Sequence, residues 1–495
     1  MAIPDYFRRN AVAIAQAISG LDEQRLESSL SNVCIGVTIA RDASGREGRA
    51  IIDLLVRLLA RLYPTITIRA EEDKDFVDEA RALASRINPH IELSGTPTVE
   101  IVIGSSRIRR STPHRIFVGS NGWEALISTS RAQACGDSDN PFGAGVAACL
   151  AAANLFRYIF LPEAHLDENS KYSILNKDRA GGSVTKIKGN LGDVVLAGAG
   201  AIGNAAAWSL ARTNLKGTVM IVDHESVDLG NLQRYILAER NDEGKSKAEY
   251  VAAKFNGVLS AKAYSTKLAD FLERKHHKVD RLLLALDSAN HRRAAQASLP
   301  RWIANAWTQP GDLGVSVHDF LNGACVCCLY LPKGTIKNED EIIADSFNVP
   351  ERLMQIRTLL YNNEGAPREL LEAIAEKRNV PLERLLPFEG RPIRTLYSDG
   401  ICGGAVIPLA QIGAPAGDVH VPLAHQSALA GVLLAAAAVQ NALGGVKGKG
   451  SFITRLDVMS SLPKLHSHPA AKDPRGICIC QDKDYRDTYQ KKYSR

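Results

Sequence analysis

The feature that most constrains the fold is an apolar segment that runs directly into a glycine-rich turn. Residues 194–197 have the composition of a buried strand, and Gly198, Gly200 and Gly203 follow them. Glycines at this spacing allow a tight turn, a close approach of the backbone to a phosphate, and close packing of the next helix. Asp223 ends the next predicted strand, where a carboxylate can bind ribose hydroxyl groups. The pattern predicts a nucleotide site, but on its own it fits a nicotinamide dehydrogenase as well as an ATP-binding enzyme.

Strand-like and helix-like segments alternate around this turn. The expected strands are residues 193–197, 218–222 and 281–286, and the expected helices are residues 201–213 and 245–255. Such a βαβ series predicts an α/β fold with a mainly parallel, Rossmann-like sheet. The residues before it also alternate, with an amphipathic helix at residues 48–62 and a strand at residues 98–103. They predict a second α/β domain without a phosphate-binding glycine pattern.

The remaining organisation follows from composition along the chain. The polar residues 166–182 are the best candidate for a domain boundary. Residues 333–385 are charged and strongly helical, which predicts a small inserted helical segment. Two apolar tracts, residues 145–161 and 428–443, are too short or too weakly hydrophobic to span a bilayer, and we expect buried helices there. The two halves resemble each other weakly, and the sequence leaves an internal duplication open.

Charge and the N-terminus exclude several classes of function. The 60 Lys and Arg residues against 54 Asp and Glu leave a net charge of only +6, without a basic run, so no nucleic-acid partner is expected. The N-terminal segment MAIPDYFRRN lacks the apolar core of a signal peptide, which predicts a cytoplasmic protein without a membrane partner. Because that compartment is reducing, the nine cysteines are not expected to form disulfides.

The residues after the second strand of the βαβ series decide between the two classes of nucleotide. Asn231 and Arg234 follow that strand closely, Lys247 lies in the first turn of the next expected helix, and Asp287 follows a later strand. In order and spacing this set resembles the ThiF/MoeB-type adenylyltransferases and the ubiquitin-activating enzymes. The resemblance implies that the domain binds ATP and Mg²⁺ and adenylates the C-terminal carboxylate of a small carrier protein. The sequence departs from the family at Tyr235, where a glutamine is common.

Charge supports the roles that the resemblance implies. Attack of a carboxylate on an α-phosphate requires neutralising charge on both reactants, and Arg234 and Lys247 are the cations that the pattern fixes near the phosphates. Surface charge is the alternative for both. By resemblance, Asp287 binds Mg²⁺, with a helix N-cap as the alternative. Asn231 by resemblance faces the phosphates or the metal, and otherwise it forms a turn.

Two cysteine pairs suggest a metal site. Cys325 and Cys328 form a Cys-x-x-Cys pair, and Cys478 and Cys480 lie near the C-terminus. In the resembling family two such pairs build a structural zinc site, and four thiolates suit tetrahedral Zn²⁺. The second pair has one intervening residue rather than two, and Cys327 offers a further thiol. Buried or redox-active thiols therefore remain the alternative.

Cys402 lies in the segment SDGICGG. Flanking glycines leave a thiol accessible, and a helix N-terminus after it lowers the pKa. In the resembling family this position receives the activated protein as a thioester or a related adduct; a buried loop cysteine is the alternative. Arg109 and Arg110 could reach across to ATP, or they could be surface charges.

Together these observations predict five segments. They are an inactive adenylation-like domain (residues 1–170), the first part of an active ATP-binding domain (171–330), a helical insertion with the catalytic-cysteine region (331–402), the second part of the active domain with the zinc-binding end (403–482), and a charged tail (483–495). We expect activation of a ubiquitin-like protein, a thioester on Cys402, and transfer to a conjugating-enzyme-like partner. The alternatives are a sulfur-carrier adenylyltransferase in cofactor synthesis, an NAD-dependent oxidoreductase and a non-catalytic scaffold. A homodimer stays open.

Overall fold

The computed structural model describes residues 4–18, 23–106, 114–175, 187–309, 311–332, 338–402, 406, 421–444, 450–460 and 466–494. The chain divides into two compact units. The first unit contains Met1–Pro4, Asn32–Leu331 and Ala424–Arg495, and the second contains Asp5–Ser31 and Pro332–Leu423. Each unit has a hydrophobic core of its own.

The described strands all lie in the first unit. In chain order they are β1 (Ile35–Ile39), β2 (Ile66–Ala70), β3 (Val99–Ile103), β4 (His114–Asn121), β5 (Glu124–Ser128), β6 (Asn169–Ser173), β7 (Asn190–Ala197), β8 (Lys216–Val222), β9 (Ser260–Tyr264), β10 (Arg281–Leu284), β11 (Trp302–Gln309), β12 (Asp312–His318), β13 (Phe452–Leu456) and β14 (His466–Pro469). The helices are α1 (Phe7–Ala17), α2 (Glu23–Ser31), α3 (Arg46–Leu59), α4 (Lys74–Ile87), α5 (Phe142–Phe160), α6 (Ala201–Ala211), α7 (Lys247–Ala252), α8 (Leu268–Arg274), α9 (Ala289–Ala297), α10 (Val326–Tyr330), α11 (Glu339–Phe347), α12 (Leu353–Asn362), α13 (Arg368–Arg378), α14 (Ile393–Thr395), α15 (Ala424–Ala442) and α16 (Lys483–Tyr493).

The larger sheet is the Rossmann-like sheet that the sequence predicts. Its strand order is β14-β13-β12-β11-β10-β7-β8-β9. The five strands from β11 to β9 are parallel, and β12, β13 and β14 are antiparallel. The order in which the strands are added reverses at β7: the chain continues from β7 to β8 and β9 on one side, and then to β10 and β11 on the other. The carboxyl ends of β7 and β10 therefore flank a crevice. Open α/β sheets bind ligands at such a point.

The smaller sheet repeats much of this topology. Its order is β2-β1-β3-β4-β5-β6, with β1 to β4 parallel and the last two strands antiparallel. In both sheets the first strand lies between the second and a later parallel strand. In both, a long helix of small residues, α5 or α15, precedes an antiparallel strand. This correspondence is the pattern expected of the internal duplication that the sequence left open.

One boundary expected from the sequence contains a strand. The polar residues 166–182 include β6, which pairs antiparallel with β5 at the edge of the smaller sheet. Only Tyr172 in β6 is buried. Because an edge strand with one solvated face can be built almost entirely of polar residues, it resembles a linker in sequence.

Both apolar tracts form buried helices, as expected. Among the described residues, α5 alone is long and apolar enough to cross a membrane, and 89% of that apolar window is buried inside the protein. It packs against α3 and α15, while α15 packs against α6. The α5 and α15 helices thus join the two α/β halves of the first unit.

A partly buried ionic cluster joins α3 to α6 across the same boundary. Asp53 Oδ2 accepts hydrogen bonds from Trp208 Nε1 at 2.7 Å, from Arg212 at 2.6 Å and from Arg57 Nε at 3.0 Å. Burial alone would raise the pKa of Asp53, but the two guanidinium groups and the indole N–H lower it to about 2.

We expect Asp53→Asn to lower the free energy of unfolding at pH 7 by about 2.5 kcal/mol. The reason is that a carboxyl whose pKa falls from about 3.9 to about 2 on folding contributes about 1.36 kcal/mol for each pKa unit. This stabilisation is present above about pH 4 and is lost as the pH falls towards about 2, since the folded carboxyl then becomes protonated. Melting temperatures measured against pH should differ at pH 7 and converge at low pH. A constant difference would contradict the assignment.

The second unit is helical throughout the part that the structure describes. Its core contains Ile343 and Phe347 from α11, Ile356 from α12 and Leu371 from α13, all buried. The insertion is helical, as the sequence predicts, and it folds around an apolar interior. The helices α1 and α2 also belong to this unit, which the sequence did not predict.

Candidate active site

The glycine-rich turn lies between β7 and α6, at the carboxyl edge of the larger sheet. Gly198 has a φ of +93°, a backbone conformation that favours glycine. A Cβ on Gly203 would lie 2.0 Å from the Gly198 carbonyl oxygen, so the turn and the first turn of α6 require glycine there. Gly200 is the residue that caps α6. Because a glycine has no side chain that could cap the helix, the N–H groups at the N-terminus of α6 are open to an anion.

Asp223 closes the turn from the end of β8. Its Oδ2 accepts a hydrogen bond from the Ala199 N–H at 2.7 Å, and its Oδ1 accepts one from the Glu225 N–H at 2.9 Å. A carboxylate has about four lone-pair sites, so acceptor capacity for ribose hydroxyl groups remains.

Tyr235 brings the predicted cations to the turn. The centroid of its ring lies 5.7 Å from the guanidinium carbon of Arg234 and 5.4 Å from Lys247 Nζ. Its hydroxyl oxygen lies 3.5 Å from the position that a Cβ on Gly200 would take. The structure thus gathers Arg234, Lys247 and the turn around one buried ring. From the sequence, Tyr235 was visible only as a departure from the family.

Lys247 is a buried cation with an exposed partner. Only 5% of the residue is exposed, and its Nζ donates to Glu225 Oε2 at 2.5 Å. Burial acts to lower the pKa of Lys247, but Tyr235 and Glu225 outweigh it and raise the pKa above its usual range. Lys247 is therefore charged at neutral pH, while 59% of the Glu225 side chain is exposed.

Asn204 on α6 connects three parts of the site. Its Nδ2 donates to the Ala199 carbonyl at 2.7 Å, and its Oδ1 accepts from the Leu237 N–H at 3.2 Å and from the Tyr250 hydroxyl at 2.6 Å. The residue is fully buried. Sequence reasoning missed it, although a lone amide in the apolar stretch AIGNAAAWSLA is a signal for a buried polar contact.

Asn231 and Asp287 lie on two loops of the same domain. Asn231 Oδ1 accepts a hydrogen bond from the Asp228 N–H at 3.2 Å, which is the turn-forming role. Asp287 is exposed and precedes α9, whose N-cap is Ser288. A Cβ on Gly198 would lie 2.5 Å from the Ala285 carbonyl, so the loop that carries Asp287 abuts the glycine-rich turn.

The four predicted zinc ligands form one cluster. Cys325 and Cys478 have their Sγ atoms 3.4 Å apart, and those of Cys328 and Cys480 lie 3.5 Å apart. All four sulfurs lie within 4.8 Å of one another. Tetrahedral Zn²⁺ with bonds of about 2.3 Å needs sulfurs about 3.8 Å apart, so the donor set fits. Cys327 makes a different contact, with its Sγ 3.7 Å from the Arg293 carbonyl oxygen.

Two predicted elements fall wholly or partly outside the described residues. Cys402 belongs to the second unit and ends a short π-helical segment, Leu396–Cys402. The side chain of Cys402 is outside the description, as are Arg109 and Arg110. The thioester role of Cys402 and the reach of the arginine pair therefore stay predictions.

Two family models match the chain. Residues 182–309 match the ThiF family, and residues 39–161 match Prokaryotic E2 family C. The first match contains the glycine-rich turn, Asp223, Arg234, Lys247 and Asp287. The second match does not test whether the N-terminal domain is an inactive adenylation-like domain, which therefore stays a prediction.

Relatives and solved structures give further similarities. "Uncharacterized protein y4jF" of Sinorhizobium fredii (strain NBRC 101917 / NGR234) is 40% identical over 511 residues, covering 100% of this chain and 98% of that protein. A "Probable molybdopterin-synthase adenylyltransferase" of Porphyra purpurea is 38% identical over 79 residues, which are 15% of this chain and 20% of that protein. The structure of the Microcin C7 biosynthetic enzyme MccB in complex with N-formylated MccA matches with a TM-score of 0.38 and 14% identity, over 74% of this chain and 98% of that one.

Proposed function

Because the chain belongs to the ThiF family, we propose that it uses ATP to adenylate the C-terminal carboxylate of a ubiquitin-like protein. One observation carries the proposal. Arg234, Lys247 and the glycine-rich turn meet around Tyr235, and the loop of Asp287 abuts the same turn. This arrangement offers a helix N-terminus and two cations to one polyphosphate.

The reaction follows from these charges. The N-terminus of α6 binds the phosphates of ATP, and Asp223 binds the ribose. Lys247 exchanges the exposed Glu225 for a phosphate oxygen, which costs little because Glu225 regains water. The carrier's carboxylate then attacks the α-phosphorus. The bond between the α-phosphorus and the oxygen that bridges to the β-phosphate breaks, and pyrophosphate leaves. Arg234 and Lys247 stabilise the negative charge that develops there. Asp287 would hold Mg²⁺, which neutralises phosphate charge.

We assign the cysteine cluster a structural role. Cys325, Cys328, Cys478 and Cys480 would hold one Zn²⁺, which links the residues before α16 to the segment after β12. A site with four protein ligands has no open position for a substrate, so it would serve folding rather than chemistry.

The second step is proposed for Cys402. Its thiolate attacks the carbonyl carbon of the acyl-adenylate, AMP leaves, and a thioester forms for transfer to a conjugating-enzyme-like partner. The match of residues 39–161 to Prokaryotic E2 family C supports a link to conjugation. A sulfur-carrier adenylyltransferase in cofactor synthesis is the second candidate, and it is favoured by the local similarity to the Porphyra purpurea protein.

ATP–pyrophosphate exchange tests the adenylation step. The full-length chain, ATP, labelled pyrophosphate and candidate carriers that end in glycine should give labelled ATP. The same carrier without its last glycine is the control and should give none. Absence of exchange with every ubiquitin-like and sulfur-carrier candidate would contradict the proposal. Binding of NADH but not ATP in a fluorescence titration would support an oxidoreductase instead.

Cys402→Ala should leave this exchange within about twofold of the wild type and abolish the thiol-labile carrier adduct, because adenylation precedes thioester formation. The adduct is measured on non-reducing gels, with and without dithiothreitol. Cys402→Ser is the matched variant, and it should give an adduct that resists dithiothreitol because an oxygen ester replaces the thioester. A thiol-labile adduct in Cys402→Ala would show that another residue accepts the carrier.

A further inference from the structure

We propose that Arg61, a residue of the N-terminal half, positions the nucleotide-binding segment of the ThiF domain. The inference rests on the proposed function and names Arg61 as a positioning residue for the ATP site. It acts through residues 235–238, which directly follow Arg234. ATP binding would therefore depend on the N-terminal half as well as on the ThiF domain.

Arg61 is a fully buried cation that contacts this segment directly. Its Nη2 donates to the Tyr235 carbonyl at 2.7 Å and to the Ala238 carbonyl at 2.5 Å. Its Nη1 donates to the carbonyl of Arg57 at 2.6 Å, and Arg57 in turn donates to the Ile236 carbonyl at 3.1 Å. The exposed fraction of Arg61 is 0%. Two arginines from α3 and its C-terminal end thus contact three carbonyls of one short turn.

The opposite side of the same turn is held by the ThiF domain. Asn204 accepts the Leu237 N–H at 3.2 Å and donates to the Gly200 carbonyl at 3.0 Å. Residues 235–238 therefore lie between the glycine-rich turn on one side and Arg61 on the other. Moving this segment would move the Tyr235 ring, around which Arg234 and Lys247 lie.

The chemistry of the contact requires an arginine. A guanidinium group presents several N–H donors in a fixed plane, so one side chain can bridge two carbonyls. A lysine keeps the charge but is a point donor on a flexible stem. A methionine keeps much of the stem and removes both the charge and the donors. Since binding groups must be held to within about 0.5 Å, loss of the bridge should weaken ATP binding.

The test is the dissociation constant of Mg·ATP, measured by calorimetry on the full-length chain well below each variant's melting temperature. Arg61→Met should raise the constant about tenfold, which corresponds to about 1.4 kcal/mol. Arg61→Lys should raise it less, and it provides a folded variant if Arg61→Met does not fold. Arg157→Met is the control, because Arg157 is also a buried arginine of the N-terminal half, but it donates to the Val458 carbonyl at 2.7 Å and to the Ser460 carbonyl at 2.6 Å and not to residues 235–238. It should lower the melting temperature and leave the dissociation constant unchanged.

A double-mutant cycle separates positioning from general weakening of the structure. If Arg61 acts through the segment that carries Arg234, Arg61→Met should have a clearly smaller effect in the Arg234→Ala background than in the wild type. Unchanged binding in both Arg61 variants, or full additivity with Arg234→Ala, would overturn the inference. Failure of the wild-type chain to bind Mg·ATP would instead overturn the proposed function itself.

Discussion

Lys247→Ala is expected to slow ATP–pyrophosphate exchange by about 10²-fold or more, the usual effect of removing a group that stabilises transition-state charge. Lys247 is buried and charged, and its Nζ lies beside the Tyr235 ring at the glycine-rich turn. In this site an alanine leaves the developing charge of the pyrophosphate without a buried partner. The fold should survive, because the partner that the change leaves behind, Glu225, is mostly exposed.

The chain offers a matched control two residues away. Lys245 Nζ lies 2.7 Å from Asp242 Oδ1, and 55% of its side chain is exposed. Such an exposed ion pair contributes about 0–1 kcal/mol to stability. Lys245→Ala should therefore leave exchange within about twofold of the wild type. Initial exchange rates at saturating ATP, with melting temperatures measured in parallel, check both expectations. Equal losses of exchange rate in the two variants would contradict the placement of Lys247 at the phosphate site.

The parts of the site that the sequence predicts are those that local spacing determines. The strand, the glycine-rich turn and the helix lie within a few residues of one another, and Gly198 and Gly203 each have a steric reason. Arg234 and Lys247 follow at short spacing, and the structure brings both to the turn. Their role at the phosphates is implied by the family resemblance and stays a prediction.

The contacts that the sequence did not predict join residues far apart in the chain. Arg61 and Tyr235 are separated by 174 positions, and Arg61 belongs to none of the motifs. A buried arginine cannot be told from a surface arginine by its neighbours in sequence. The same holds for β6, whose polar residues hide an edge strand, and for α1 and α2, which join the helical insertion only in three dimensions.

The two α/β halves explain why Arg61 can reach the nucleotide site. Their first helices after the first strand, α3 and α6, meet at the boundary through Asp53 and Trp208. The long helices α5 and α15 also pack together there. This arrangement lets the half without the glycine pattern support the half that has it. The inactive adenylation-like character of the N-terminal half stays a prediction.

Cys325→Ser is expected to release the metal and loosen the C-terminal segment. We expect one zinc per wild-type chain by elemental analysis and far less than one in the variant, because three thiolates bind Zn²⁺ much more weakly. A structural Zn²⁺ contributes about 10–16 kcal/mol in small zinc domains, so the melting temperature should fall strongly. The cluster lies next to α16, which contacts the rest of the first unit through Tyr489 and Lys492. Trypsin should then cleave at Lys483 or Arg486 faster than in the wild type.

Cys327→Ser is the matched control for the zinc site. Cys327 lies between the first two ligands in sequence, but its Sγ lies 3.7 Å from the Arg293 carbonyl oxygen, and it is not among the four thiols that lie within 4.8 Å of one another. A serine there keeps a hydrogen-bond donor, so zinc content should stay at one and the trypsin pattern should not change. Loss of zinc from Cys327→Ser would show that Cys327 is a zinc ligand. Full zinc retention in Cys325→Ser would exclude the four-thiolate site. If the two variants behave as expected, the metal links the end of the chain to the sheet that carries the nucleotide site.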